Sequence, residues 1–239
     1  MVFAPAAAAP GRAVLLLHDL AGRPPAADDP LRAALEAAGL PTLAPLTGRS
    51  WWLDRVLPAF DPVVSPERFV RERVVPEIAA RFGVRPPGIA VVGIGMGGQG
   101  ALRLAYRHPD LFPIAAAVAP AIDFHLGMRQ AADRDDGELF DTLWEVFGDV
   151  ERARQETAIL HVHPLNWPRH QWFASHPADR RWHDGACRLH GKLAALGIPH
   201  EAVLDAAPGE DEAAFERRMA AAAIAFVTAA LERESRRIP

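Results

Sequence analysis

Near the middle of the 239-residue chain runs the sequence Ile89-Ala-Val-Val-Gly-Ile-Gly-Met-Gly-Gly-Gln-Gly-Ala-Leu-Arg-Leu-Ala-Tyr-Arg107. Its first four residues are apolar and follow Pro86-Pro87-Gly88, which predicts a buried parallel strand. Five glycines then crowd a turn, and the apolar residues after them continue as a helix until His108-Pro109. The stretch therefore predicts a strand, a tight turn and a helix in direct succession.

This succession is the frame of a nucleophile elbow. In the pattern G-x-S-x-G the flanking glycines let the strand and the helix approach closely, and the serine is held on a strained backbone at the tip. Here Gly93 and Gly97 flank the tip, and Gly95 stands where the serine would be. The serines of the chain all lie away from this turn: Ser50, Ser65, Ser175 and Ser235.

The glycines admit two other interpretations. Gly93-x-Gly95-x-x-Gly98 also fits the dinucleotide fingerprint G-x-G-x-x-G, which expects an acidic residue after the next strand. Asp123 follows the apolar run Ile114 to Val118 and meets that spacing. However, the fingerprint usually belongs to an opening βαβ unit, whereas this turn lies behind a complete earlier unit. The third interpretation is a glycine turn that carries no site.

The residues around the turn resemble those of the α/β-hydrolase superfamily. The match consists of Gly-Ile-Gly-Met-Gly-Gly-Gln-Gly-Ala-Leu-Arg, followed by His108-Pro109-Asp110-Leu-Phe and then Ala119-Pro120. It is most similar to the putative-esterase branch that includes S-formylglutathione hydrolase (esterase D), and the similarity extends from about Val14 to Leu231. The resemblance implies the α/β-hydrolase fold and hydrolysis of acyl esters by a Ser-Asp-His triad.

The resemblance also implies the triad positions, in the chain order nucleophile, acid, histidine. Gly95 matches the nucleophile. In Ser175-His-Pro-Ala-Asp179, after a late strand, Asp179 matches the acid, and His176 is the alternative alignment. In Ala207-Pro-Gly-Glu-Asp211, after the last strand, Glu210 stands where the family has the histidine of P-G-G-H-D. From its residue type alone, Asp179 equally fits a helix cap or a turn.

Both replacements point away from the family's chemistry. A hydroxyl becomes a nucleophile only beside a base whose pKa is near neutral, and a glutamate with an ordinary pKa of roughly 4.3 is a poor base for it. Glycine tolerates the nucleophile's backbone, which is strained by roughly 1–3 kcal/mol when a side chain is present. We therefore interpret Gly95 and Glu210 as remnants of a triad that no longer operates.

The oxyanion hole is a separate expectation. His18-Asp-Leu-Ala-Gly22 resembles the family's L-H-G-x-x-G loop, with Asp19 in place of a glycine. The resemblance assigns the two backbone N–H donors to Leu20 and Met96. Backbone donors depend little on side-chain identity, so the hole is expected to survive. The alternative interpretation of the loop is a plain strand-to-helix turn.

The chain as a whole reads as one α/β domain, residues 1–239, because strands alternate with helices as in a mostly parallel sheet covered on both faces. Residues 123–168 are a candidate lid or cap insertion, with a helix predicted from Glu138 to Phe147. Trp51-Trp52 either line an acyl pocket or cover an edge of the core, and the second is preferred. Met1 to Pro10 is predicted to be a loose tail and not a signal peptide.

Composition restricts the partners. A net charge of −4 and a pI near 6.2 argue against nucleic acid. No stretch is long and apolar enough to predict a membrane span, and the single cysteine, Cys187, suits a reducing, cytoplasmic compartment and falls in a predicted helix. His161-Val-His163 matches no compact metal motif, so neither a metal nor a cofactor is predicted. Whether the chain forms a homo-oligomer is left open.

Three functional hypotheses follow. The first is a non-catalytic member of the esterase family that binds a small acyl or ester ligand. The second is an active ester hydrolase in which Asp179 and Glu210 activate water beside the oxyanion hole, which requires both carboxylates to converge near Gly95. The third is a structural or partner-binding protein, in which Trp51, Trp52 or Met96 would fill the cleft.

Overall fold

The fold is built on one seven-stranded sheet. The computed structural model describes residues 2–3, 5, 8–23, 25–129 and 137–237. The sheet order is β1-β3-β2-β4-β5-β6-β7. The strands are β1 Val2–Phe3, β2 Ala13–Leu17, β3 Thr42–Leu43, β4 Ile89–Ile94, β5 Ile114–Val118, β6 His170–Ala174 and β7 Glu201–Val203. Strands β2 to β7 pair in parallel and β1 pairs antiparallel with β3, so the predicted mostly parallel sheet is confirmed.

Helices cover both faces of the sheet. They are α1 Pro30–Ala37, α2 Pro66–Phe69, α3 Val75–Phe82, α4 Met96–Arg107, α5 Phe124–Arg129, α6 Gly137–Phe147, α7 Val150–Glu156, α8 His183–Ala195 and α9 Glu212–Ser235. Buried residues of α1 and α9 form one core with Val14 and Leu16 of β2. The other helices and the opposite face of β2 form a second core. Because both faces are covered, the central strands are continuous apolar runs with no polar alternation.

Capping residues and prolines shape two of the helical segments. Asp29 accepts hydrogen bonds from the backbone N–H groups of Leu31 and Arg32, with Pro30 in the first turn of α1. The helical stretch from Pro66 to Phe82 is continuous but contains a π-helical turn, Val70–Val74, between α2 and α3. Pro76 lies two residues after that turn and has no N–H to donate, so a regular hydrogen-bond ladder cannot continue through it.

The paired tryptophans belong to the core, as preferred from the sequence. Trp51 and Trp52 are fully buried. The Trp51 ring lies 4.6 Å from Phe124, and Trp52 Nε1 donates to the carbonyl oxygen of His18 at 3.3 Å. A Cβ on Gly100 of α4 would lie 2.5 Å from the Trp52 ring, so glycine is needed where the indole meets the helix. These side chains fix the elbow helix against the loop that follows β2.

Two local expectations need correction or remain open. The prediction of a loose tail is wrong at Val2–Phe3, which pairs with Thr42–Leu43, so β3 is no longer the edge strand. A two-residue strand has too little pattern for its sequence to reveal it. The candidate insertion at 123–168 contains α5, α6, α7 and a 3-10 turn, Ala158–His161, and the helix predicted from Glu138 is confirmed as α6. Residues 130–136 of the candidate insertion lie outside the described residues.

Candidate functional site at the glycine turn

The glycine turn has the close packing that an elbow requires. Strand β4 ends at Ile94, helix α4 begins at Met96, and Gly95 joins them. A Cβ on Gly93 would lie 2.2 Å from the backbone of Gly97, and one on Gly97 would lie 2.1 Å from the carbonyl oxygen of Leu17. Any side chain at either flanking position would collide with backbone. Strand, helix and the end of β2 therefore meet at a distance that only glycine permits.

Gly95 has an unusual backbone that its neighbours hold in place. Its φ is 55° and its ψ is −118°, a conformation that residues with a side chain rarely adopt. Its N–H donates to Val118 at 3.0 Å, and its carbonyl oxygen accepts from Gln99 and Ala121, both at 3.0 Å. A Cβ here would have Asp19 Cβ as its nearest neighbour, at 3.8 Å. Space for a side chain exists, so the backbone angle alone disfavours one.

Asp179 lies after β6, where the resemblance places the acid, but its described contacts are those of a turn aspartate. Its Oδ1 accepts from the N–H groups of Arg181 and Trp182 at 2.9 and 3.2 Å, just before α8 begins. His176, the alternative alignment, is buried against the ring of Phe215. Its Nδ1 accepts from the Ala178 N–H, so its Nε2 carries the proton and donates to the carbonyl oxygen of Glu210 at 3.1 Å.

Glu210 is held by an arginine. Its two carboxylate oxygens accept from Arg218 Nε and Nη2 at 2.8 and 2.6 Å, and the Ala207 N–H donates to it at 3.0 Å. The hydrogen bond from Arg218, followed by that from Ala207, lowers the pKa of Glu210 to about 2. A carboxylate with such a pKa is a weaker base than an ordinary glutamate. The two loops meet through His176 and the Glu210 backbone, while the Asp179 and Glu210 carboxylates have separate partners.

The loop after β2 approaches the elbow and carries a negative charge there. Asp19 Oδ1 accepts from the Ala21 N–H at 2.9 Å, and its carbonyl oxygen accepts from His18 Nδ1 at 2.7 Å. Burial lowers the pKa of His18 and outweighs the opposing effect of Asp19. The lowered pKa favours a neutral imidazole, whose Nε2 accepts a hydrogen bond from the Thr47 N–H. Leu20 is partly buried against the core. Asp19 thus lies beside the tip of the turn, with its Cβ 3.8 Å from the position that a Cβ on Gly95 would take.

A cavity of about 340 Å³ lies beside the elbow on the side of α1. Its apolar wall includes Leu16, Leu31 and Ile94, the residue before Gly95. Its polar groups are His18, Asp19, Arg23 and Asp29. Met96 and both tryptophans are buried in the core and do not line this cavity, which is open beside Ile94.

Sequence reasoning missed two of the contacts that shape this site. Arg218 lies eight residues after Glu210, a spacing that neither helix nor strand periodicity marks as a pair. Asp19 was recognised as a replacement for glycine, but its proximity to Gly95 arises from the packing of two distant segments. Neither contact has a signal in the local sequence pattern.

The geometry gives little support to a metal site, a dinucleotide site or a cysteine nucleophile. Within the described ranges, no three His, Cys, Asp or Glu side chains converge as metal ligands would. Asp123, which the dinucleotide interpretation needs, accepts from Arg188 at 2.6 Å. Cys187 is exposed on α8, and its thiol lies 3.3 Å from His183 Nε2. Partial burial, followed by the charge of Asp184, raises the pKa of that thiol, which keeps it protonated.

Comparison with known proteins agrees with this geometry. The family model described as "Putative esterase" matches residues 64–236. Diacylglycerol acyltransferase/mycolyltransferase Ag85B of Mycobacterium avium is 28% identical over 138 residues, 54% of this chain and 42% of the relative. Its counterpart in Mycobacterium intracellulare is 30% identical over 132 residues, 51% of this chain and 40% of the relative. The chain thus spans less than half the length of these curated relatives.

Solved structures show the same fold. An S-formylglutathione hydrolase from Agrobacterium tumefaciens superimposes with a TM-score of 0.65 at 17% identity, covering 100% of this chain and 89% of that one. The carboxylesterase EstE1, cloned from a metagenomic library, gives 0.69 at 16% identity over 96% of this chain and 83% of its own. Since the family model covers most of the chain and these structures share its architecture, the chain belongs to the putative esterase family and has the α/β-hydrolase fold.

Proposed function

We propose that this chain is a non-catalytic member of the esterase family that binds a small acyl or ester ligand beside its elbow. The observation that carries the proposal is Gly95, which keeps a nucleophile-like backbone next to an open cavity but has no side chain. Ester hydrolysis through an acyl-enzyme needs an activated hydroxyl or thiol at this tip. Gly95 supplies neither, and Glu210 is bound to Arg218.

Retention of a ligand is supported by the cavity. Its volume of about 340 Å³ falls in the lower part of the usual range for small-molecule sites, roughly 300–1,000 Å³. Apolar residues such as Leu16, Leu31 and Ile94 suit a short acyl chain, and His18 and Arg23 offer polar contacts to an ester group. The proposed occupant is therefore a short-chain ester or its acyl fragment.

The other two hypotheses find less support. Activation of water by Asp179 and Glu210 would require their carboxylates to share a water near Gly95, yet Asp179 accepts from the turn before α8 and Glu210 pairs with Arg218. A purely structural role would be favoured by a filled cleft, but the cavity beside Ile94 is open although Trp51, Trp52 and Met96 are buried.

The location of the protein is part of the same proposal. In the described ranges, no helix has the length and apolar character needed to cross a bilayer. Cys187 is an exposed free thiol, which is better tolerated in a reducing compartment. We propose a cytoplasmic location on that ground.

Calorimetric titration with ethyl butyrate tests the ligand proposal. Ala26 lines the cavity, whereas its exposed neighbour Ala27 does not, so Ala26→Trp should close the site and Ala27→Trp should leave it open. We expect one molecule bound per chain, with affinity at least tenfold weaker in Ala26→Trp and unchanged in the Ala27→Trp control. Absence of binding to the wild type, or equal binding by all three proteins, would contradict the proposal.

A further inference from the structure

A second pocket lies away from the glycine turn, between α5, the 3-10 turn and α8. Its volume is about 390 Å³. Its charged lining residues are Asp123, Arg154, Arg188 and Lys192, and His125 also lines it. Leu126, Ile159 and Leu160 supply an apolar side. We refer to it as the α5–α8 pocket, and neither the elbow nor its cavity contributes a residue to it.

The packing of α8 brings two cations into this pocket. A Cβ on Gly185 would lie 2.4 Å from the carbonyl oxygen of Ile122, so α8 lies directly against the segment after β5. Arg188 and Lys192 follow Gly185 by three and seven residues and therefore share its face of the helix. Arg188 Nε donates to Asp123 at 2.6 Å, and Lys192 Nζ donates to the carbonyl oxygen of Ile159 at 2.6 Å.

One buried polar atom at the pocket has no partner. His125 is only 7% exposed, and its Nδ1 makes no hydrogen bond. The nearest carboxylate oxygen among the described residues, Asp123 Oδ1, lies 3.9 Å from His125 Nδ1, beyond hydrogen-bond distance. A buried polar atom left without a partner destabilises the fold, so an atom of this kind in a pocket is available to bind a ligand.

The charges around the pocket favour a single negative charge. Asp123 balances Arg188, and Glu151 balances Arg154 through two hydrogen bonds. The bond that Lys192 makes within the described part of the chain is to a neutral carbonyl, and Asp123, which attracts it, already pairs with Arg188. The two carboxylates, Asp123 and Glu151, face three cations, which leaves one net positive charge. Lys192 is also the only lysine in a sequence with 26 lysines and arginines. Two of its three N–H donors remain for a ligand.

We propose that the α5–α8 pocket binds a small organic carboxylate. Its oxygens would accept hydrogen bonds from Lys192 Nζ, from the Nη groups of Arg188 and from His125 Nδ1 in the tautomer that carries a proton there. Its carbon chain would lie against the apolar side formed by Leu126, Ile159 and Leu160. This site is independent of ligand binding at Gly95 and stands whether or not the elbow cavity is occupied.

Calorimetric titration with sodium butyrate, butyramide and inorganic phosphate tests this proposal. Ala26→Trp serves as the background, because it closes the cavity beside Gly95. We expect butyrate to bind with one site and butyramide at least tenfold more weakly. Lys192→Met should weaken butyrate at least tenfold, whereas Arg68→Met, which removes an equal charge from an exposed ion pair on α2, should not. Equal affinity for butyramide, stronger binding of phosphate, or an unchanged Lys192→Met variant would overturn it.

A second measurement needs no substitution in the pocket. Incorporation of ¹³C-labelled lysine labels the one lysine side chain and leaves its charge and its N–H donors intact. The Lys192 Cε resonance should move with added butyrate and saturate, and the same shift should need at least tenfold more butyramide. A resonance that ignores butyrate would overturn the proposal even if Lys192→Met failed to fold.

Discussion

A catalytic serine at an elbow combines a strained backbone with a reactive side chain, whereas Gly95 has the unusual backbone and no side chain. Three backbone hydrogen bonds hold its φ at 55°, and the nearest neighbour of a Cβ would be 3.8 Å away. A side chain at this position would therefore collide with nothing, and the strained backbone would be its only energetic cost. Glycine avoids that strain, so it suits a turn with this backbone better than any residue with a side chain.

We expect Gly95→Ser and Gly95→Ala each to lower the free energy of unfolding by about 1–3 kcal/mol. The two variants should lose the same amount, since the Cβ and not the hydroxyl creates the strain. Denaturant melts of both proteins and the wild type provide the measurement. An unchanged or raised midpoint would mean that the turn relaxes easily out of the elbow conformation.

At the scale of elements, the βα unit depends on glycines that have no space for a side chain. A Cβ on Gly97 would lie within 2.1 Å of backbone at the end of β2, so β2, β4 and α4 pack without room to adjust. The contrast is Gly191 in the middle of α8, where a Cβ would meet nothing within 4 Å. The same residue type therefore has opposite roles in two helices.

Gly97→Ala should accordingly destabilise the protein by about 1–3 kcal/mol or more, through overpacking against backbone. Gly191→Ala is the matched control, and it should stabilise by about 0.5–1 kcal/mol because alanine is the better helix former. Thermal and urea unfolding of the two variants measure both changes in stability, the loss in Gly97→Ala and the gain in Gly191→Ala. Equal losses in the two variants would show that the spacing at the elbow is not what excludes a side chain.

The sequence predicted elements where local chemistry marks them. The glycine turn places β4 and α4 correctly, because turns act on adjacent residues. Strand β1 was missed because two residues are too few to show a hydrophobic period. At the site, the position of Gly95 could be predicted, but the pairing of Glu210 with Arg218 depends on how the loop before α9 folds back along the helix.

At the scale of the molecule, a buried ionic network joins α2 to α4. Glu67 is fully buried and pairs with Arg103, which is also buried, and with Arg107 at 2.9 Å and His108 at 2.8 Å. Burial alone would raise the pKa of Glu67, but the hydrogen bond from His108 and the charges of Arg103 and Arg107 outweigh it and lower the pKa to about 2. The folded protein therefore binds fewer protons than the unfolded chain in acid.

The stability that Glu67 contributes should be complete above its unfolded pKa of 4.5 and should be lost as the pH falls toward about 2. By linkage, the loss amounts to about 3 kcal/mol over that window. Urea unfolding from pH 6 to pH 3 should show this slope in the wild type and in the exposed control Glu72→Gln. Glu67→Gln should be less stable at pH 6 and should have a shallower slope in the same range, because Glu210 and Glu234, whose pKa values are also lowered to about 2, still titrate. A slope in Glu67→Gln as steep as that of the wild type would show that Glu67 contributes nothing to the acid sensitivity.

The central claim is that the elbow of this esterase-family chain forms no covalent intermediate. Intact-mass measurement after incubation with a fluorophosphonate probe tests it most directly, with an active serine hydrolase treated alongside and p-nitrophenyl acetate turnover followed in parallel. Slow turnover alone is compatible with the account, since binding and an oxyanion hole leave roughly 10³–10⁴-fold acceleration without a triad. We expect an unchanged mass and no burst of p-nitrophenol. A stoichiometric adduct on any residue, or a burst equal to the protein concentration, would contradict a non-catalytic function.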